Sequence, residues 1–245
     1  KIMNFSQKDG SGTEEDHVKE LTDQYPNLIV STNRAYDGLF TVIRDVTTPT
    51  ASFVHHADRL MRILAEEALA LLPSRPPPCH YATPCASDVP GRLPAPPSSL
   101  TAVSIIRGGD ALLETVRSLL PDLGSVGKIL IQRDEESADK HAVLYYHKLP
   151  RDIAREDGAV LLCDPMLGTG GSAMAALEVL VKQNGVDPAR IVFCNLLCVR
   201  EGVERVLGAY PELKIVTACV DPILNEKKYL VPGIGDFGDR YFGTT

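Results

Sequence analysis

A chain of 245 residues, 44% hydrophobic and 23% charged, has the composition of an ordinary globular protein and the length to bury a sizeable core. Its formal net charge of −7 speaks against a nucleic-acid or anionic-membrane surface, since both need clustered Lys and Arg. No apolar run approaches the roughly 18 residues of a membrane helix. The six cysteines show no second ligand pair at zinc-finger spacing, and several sit in apolar runs as small hydrophobes, which points to a reduced, cytoplasmic protein.

In chain order, residues 1–16 are polar and read as a flexible tail, and 17–245 as one domain. "NLIV" (27–30) is a short strand, followed by a helical stretch ending near "TVIRD" (41–45). From Thr50 to Leu72, Phe53, Ala57, Leu60, Leu64, Ala68 and Leu71 recur at helical spacing until Pro73 stops the run. The Pro-rich, almost charge-free stretch 73–100 is read as neither a helix nor a central strand, and as an excursion from the domain. Thereafter strands at 102–107, 126–132, 142–149, 159–164, 190–197 and 213–220 are interspersed with helices at 110–120, 169–183 and 201–210. Strands apolar throughout and separated by helices predict an α/β fold with a mainly parallel sheet covered on both faces.

"CDPMLGTGGS" (163–172) joins a strand to a helix through a glycine-rich turn. Ligands of open α/β sheets bind at the carboxyl ends of strands, and glycines there let backbone N–H groups approach an anion. The turn lacks the GxxxxGK[ST] of nucleoside-triphosphate loops and the GxGxxG of dinucleotide folds. An acid, four residues and Thr-Gly-Gly-Ser instead resemble the ribose-phosphate loop of type I phosphoribosyltransferases. Pro165 stands where most members have a second acid, a pattern of the uracil phosphoribosyltransferases. Gly168 stands where many purine relatives have a base-directed Asp.

"YLVPGIGDFGDRYFGT" (229–244) resembles the uracil-binding stretch of the same family. Its glycines predict neither a packed helix nor a regular strand. The likeness extends through "HHADRLMRILAEEAL", "SIIRGGD" and "LIQRDEES", nearly the whole chain from Asn27 onward. It is weakest over 73–100, which by the resemblance stands in place of a β-hairpin of the relatives.

The resemblance implies the residue roles. Asp164, Met166, Leu167, Gly168, Thr169, Gly170, Gly171 and Ser172 would hold the ribose and its 5′-phosphate. Arg107, Gly108 and Gly109 match the pyrophosphate loop, with Gly108 replacing the usual Ala. Arg133, in a flap at 132–137, would reach the phosphates, whereas Asp134, Glu135 and Glu136 read as a solvated face. Backbone at Leu230, Gly235 and Phe237 would pair with uracil, within a base-binding segment at 221–245. Asp236 would lie near Mg²⁺-pyrophosphate, through water, and assist loss of the N1 proton.

The activity implied is transfer of the phosphoribosyl group from 5-phosphoribosyl 1-diphosphate (PRPP) to uracil, giving UMP and pyrophosphate, by a homodimer or homotetramer that binds neither nucleic acid nor membrane. The rivals are a phosphoribosyltransferase for orotate or a purine, and a non-catalytic nucleotide sensor or RNA regulator. Orotate would need a cation near the base segment. The intact motifs and the acidic charge argue against the regulator.

Overall fold

The computed structural model describes residues 14–72, 78–93, 96–133 and 142–244. Its elements are α1 (Glu14–Gln24), β1 (Leu28–Val30), α2 (Ala35–Arg44), α3 (Thr50–Ala70), β2 (Cys79–Thr83), β3 (Ala86–Gly91), β4 (Leu100–Ile106) and α4 (Gly109–Leu119). There follow β5 (Ser125–Arg133), β6 (Ala142–Lys148), β7 (Ala159–Cys163), β8 (Met166–Leu167) and α5 (Gly171–Leu177), which continues as a π-helical turn, Glu178–Gln183. The last are β9 (Ile191–Val199), α6 (Arg200–Ala209), β10 (Lys214–Asp221), β11 (Ile223–Leu224), β12 (Leu230–Val231) and α7 (Phe237–Phe242).

One eight-stranded sheet runs β1-β10-β9-β7-β4-β5-β6, with β8 added beside β9. It is parallel except at its edge, where β6 lies antiparallel to β5. The most apolar strands sit in the middle because both faces are covered: every residue of β7 and β9 is buried, Asn195 of β9 included. Strand alternation divides the core. Val192, Cys194 and Leu196 of β9 join α2, α3 and α4 on one face, while Ile191, Phe193 and Cys198 join α1, α5 and α6 on the other.

Cys163 and Cys194 are neighbours in register on β7 and β9, yet both are free thiols. Burial pushes these thiols, and that of Cys198, well above the usual range. No helix of the described residues is long and apolar enough to cross a membrane.

The structure corrects three local readings. Residues 1–13 lie outside the described residues, but Glu14–Asp16, assigned to the tail, open α1. The Pro-rich stretch does contain a hairpin: β2 and β3 pair antiparallel, with Pro90 opposite His80. A two-stranded ribbon consists only of edges, so this proline costs no central ladder bond. The third correction, in the C-terminal segment, bears on the site.

Candidate active site

The carboxyl ends of β4, β5 and β7 open into a cavity of about 770 Å³, whose far wall is built from residues 227–230 and 236–239. After β7, the Asp164 N–H donates to the Cys194 carbonyl at 3.3 Å, and the Pro165 carbonyl accepts from Leu196 N–H at 2.9 Å. These bonds carry the chain outward into β8, which pairs with Leu197 and Cys198. Gly170 then turns at φ +76° and leads into α5. From beneath, α6 presses close: a Cβ on Gly202 would fall 2.3 Å from the Gly168 carbonyl oxygen. Arg205 of α6 donates to the Thr169 carbonyl at 3.1 Å, a cation at the loop that sequence reasoning missed.

The turn after β4 is equally tight. The Ile106–Arg107 peptide is cis, and α4 starts so near β7 that a Cβ on Gly109 would lie 2.2 Å from the Cys163 carbonyl oxygen. Only glycine fits there. A Cβ on Gly108 would come within 2.9 Å of the Pro165 ring, so two of the positions where the motifs depart from the common pattern face each other.

Arg107 donates to the Asp239 carboxylate at 2.5 Å and to the Thr244 hydroxyl at 2.9 Å. The Arg107 hydrogen bond, then that of Thr244, hold the Asp239 carboxyl below the usual carboxylate range. The pair therefore persists into mild acid and is lost only as pH falls through that depressed value. Nearby, Asp110 accepts from Ser104 Oγ at 2.5 Å and from Lys128 Nζ at 2.7 Å. Lys128 was not singled out from the sequence, because its partner stands at the start of α4, beyond the neighbouring strand β4.

The base segment is fastened at three points. Asp221, buried at the end of β10, accepts from Arg44 at 2.7 Å and from the Gly233 N–H at 2.9 Å, and Arg44 also donates to the Gly233 carbonyl at 2.9 Å. Arg240 donates to the carbonyls of Ile43, Ile234 and Asp45 and lies over the Phe53 ring, 4.3 Å from its centroid. The Tyr241 hydroxyl donates to Asp58 of α3 at 2.6 Å. Phe237 is buried between Phe53 and Tyr241.

Here lies the third correction: the segment forms the short strand β12 and the helix α7. Local capping overcomes the glycines. Asp236 Oδ1 accepts from the Asp239 N–H at 2.9 Å at the start of α7, and Gly243 closes it in the left-handed conformation. Asp236 thus has a structural task, as a helix cap, that the sequence reading did not assign.

From the phosphate loop, Asp164, Met166, Leu167, Gly168, Gly170, Gly171 and Ser172 line the cavity. Arg107 and Gly108 join them from one side, and Leu230, Asp236 and Phe237 from the other. Thr169 stands behind this lining, Gly109 is packed against β7, and Gly235 is exposed at φ +74°. The backbone of Arg133 closes β5, but its side chain and the remainder of the expected flap, through 141, lie outside the described residues. Among the described residues no group of three or more His, Cys, Asp or Glu could hold a metal by itself. Magnesium keeps several waters and binds through one or two carboxylates plus substrate phosphates, so Asp236 on the cavity wall suits that ion.

The family model for uracil phosphoribosyltransferase matches residues 30–244. The uracil phosphoribosyltransferase of Lachancea kluyveri is 45% identical over 215 residues, 88% of this chain and 94% of the relative. That of Dictyostelium discoideum is 43% identical over 222 residues, 90% of this chain and 98% of its own length. Among solved structures, the AQ2163 protein from Aquifex aeolicus matches with a TM-score of 0.73 at 25% identity, covering 89% of this chain and 99% of that one. The chain belongs to the uracil phosphoribosyltransferase family.

Proposed function

We propose that this protein transfers the 5-phosphoribosyl group of PRPP to uracil, forming UMP and releasing pyrophosphate. The observation that carries the reading is one cavity whose walls bring together the glycine-rich loop, the Arg107 turn and the base segment. In this reading the loop at 168–172 takes the 5′-phosphate on backbone N–H groups with Thr169 and Ser172, and Asp164 takes the ribose hydroxyls. The flat edge of uracil pairs with backbone at Leu230, Gly235 and Phe237, which reject cytosine because its position 4 reverses donor and acceptor.

The bond from ribose C1 to the diphosphate oxygen breaks while that from C1 to uracil N1 forms, and the N1 proton leaves, assisted by Asp236. Positioning and neutralisation of the leaving group do the work, with no covalent nucleophile. When bound, magnesium supplies positive charge to the diphosphate, with Asp236 holding it through water. Arg107 and Arg133 supply the remaining charge. For Arg107 this means exchanging Asp239, its partner in the free protein, for the diphosphate.

Arg107→Ala should therefore lower kcat/KM for PRPP by about ten- to a hundredfold, the value of one charge-assisted bond. Melting should hardly change, because the Arg107–Asp239 pair is solvent-exposed. Unaltered steady-state kinetics would remove Arg107 from the site.

The reading as a whole is tested by measuring pyrophosphate release with uracil, cytosine, orotate and hypoxanthine. Uracil alone should react well. Equal turnover of orotate would favour the rival enzyme, and no turnover with any base the non-catalytic regulator. A cytoplasmic location, assembly as a homodimer or homotetramer, and a single domain spanning 17–245 belong to the same reading.

A further inference from the structure

We infer that Lys228 is an additional binding residue for the 5′-phosphate of PRPP and UMP. The inference rests on the ribose-phosphate reading of the 168–172 loop and extends it to the opposite wall of the cavity.

Lys228 sits in the turn joining β11 to β12. Asn225 organises that turn, its Oδ1 accepting from the N–H groups of Lys227 at 2.9 Å and Tyr229 at 3.0 Å. Among the described residues Lys228 is the only non-glycine with a positive φ, +65°. That conformation suits glycine, asparagine or aspartate and disfavours a long side chain, so a lysine there is a choice the turn does not ask for. Residues in such conformations concentrate at ligand-binding sites.

The location says which ligand. Lys228 lines the cavity, and its carbonyl oxygen would lie 3.8 Å from a Cβ on Gly168, the first residue of the phosphate loop. Arg107 lines the same cavity from the β4 turn and is paired with Asp239. Among the described residues, neither Lys228 nor its neighbour Lys227 has a carboxylate within ion-pair distance, although both face the cavity. A lysine whose backbone comes up against Gly168, and which has no acid within ion-pair distance, is matched to the phosphate that the loop holds rather than to the leaving diphosphate near Arg107.

Lys228→Gly separates function from fold, because glycine relieves the backbone at this φ. In the full-length protein, this variant should melt no lower than the unmodified protein. Its KM for PRPP and its Kd for UMP should both rise about tenfold, less than for a buried pair because the lysine is exposed. Both differences should shrink at high salt, and KM for uracil should stay within twofold. Lys228→Arg, which keeps the charge, should retain most of the affinity.

Affinities for PRPP and UMP within twofold of the unmodified protein would overturn the inference. So would weaker PRPP binding with UMP unchanged, which would assign the lysine to the diphosphate, or an arginine variant as weak as the glycine one. Failure of the underlying reading looks different: the unmodified protein would itself bind no UMP.

Discussion

An Asp236→Asn variant is expected to fold normally, bind uracil within a few-fold of the unmodified protein, and turn over about 10²–10⁴ times more slowly. The structure makes this substitution unusually clean. Asp236 caps α7 through a single oxygen, Oδ1, which accepts from the Asp239 N–H. Asparagine caps about as well as aspartate, so the helix that carries Phe237 and Asp239 should stay in place. What is lost is a negative charge on the cavity wall, and with it the help to the N1 proton and to magnesium that the proposed reaction assigns to Asp236. Uracil affinity should hold if, as proposed, the base is read by main-chain groups. Steady-state kinetics with uracil and PRPP varied in turn, together with a thermal melt, separate these effects. Normal turnover would remove Asp236 from the chemistry, and a low melting temperature would show that the cap differs between the two side chains.

The largest loss of stability is expected from Arg44→Ala. Its partner Asp221 has a side chain only 1% exposed, and Arg44 itself is 21% exposed. Removing one member of such a buried pair leaves the other without compensation and costs about 3–5 kcal/mol. For a chain of this size that corresponds to a drop of roughly 10 °C in Tm. The damage should not be confined to stability. Arg44 and Asp221 together hold both the N–H and the carbonyl of Gly233, two residues before Gly235 in the base segment. KM for uracil should therefore rise more than KM for PRPP, even well below the melting temperature. Arg44→Lys should recover part of the Tm, since it restores the charge but not the forked contacts. An alanine variant that melts within about 1 °C of the unmodified protein would show that the pair contributes little.

Much of this architecture was legible because its strongest signals are local. The central strands are largely apolar, and their observed limits differ by only a residue or two from those read off the pattern. The glycine-rich loop and the C-terminal segment stood out as motifs by their resemblance to the family, and both contribute to the cavity wall.

What escaped falls into two kinds. Short elements such as α7 and the β2–β3 hairpin contain residues that argue against regular structure. They form because of a cap at Asp236 and Gly243, or because a ribbon edge tolerates proline. The second kind is a partner far along the chain. Arg44 and Asp221 are 177 residues apart, Arg107 and Asp239 are separated by 132, and Lys128 reaches Asp110 across 18. Nothing in the neighbourhood of any of these residues announces its partner. Arg205 belongs here too: it reads as one charge on an amphipathic helix until α6 packs under the phosphate loop.

The fastening of the base segment also bears on the order in which the protein is made. The sheet strands and the glycine-rich loop precede residue 222, whereas Arg240 and Tyr241, which bind carbonyls at the end of α2 and Asp58 of α3, are made only after every strand of the sheet. During synthesis the early helices emerge first and must wait for those partners. The cavity wall built from residues 227–230 and 236–239 consequently closes later than the sheet. On the proposed reading, a nascent chain halted after β10 would hold the glycine-rich loop but lack the segment that pairs with uracil, so ribosome stalling in this region would release no partly active transferase.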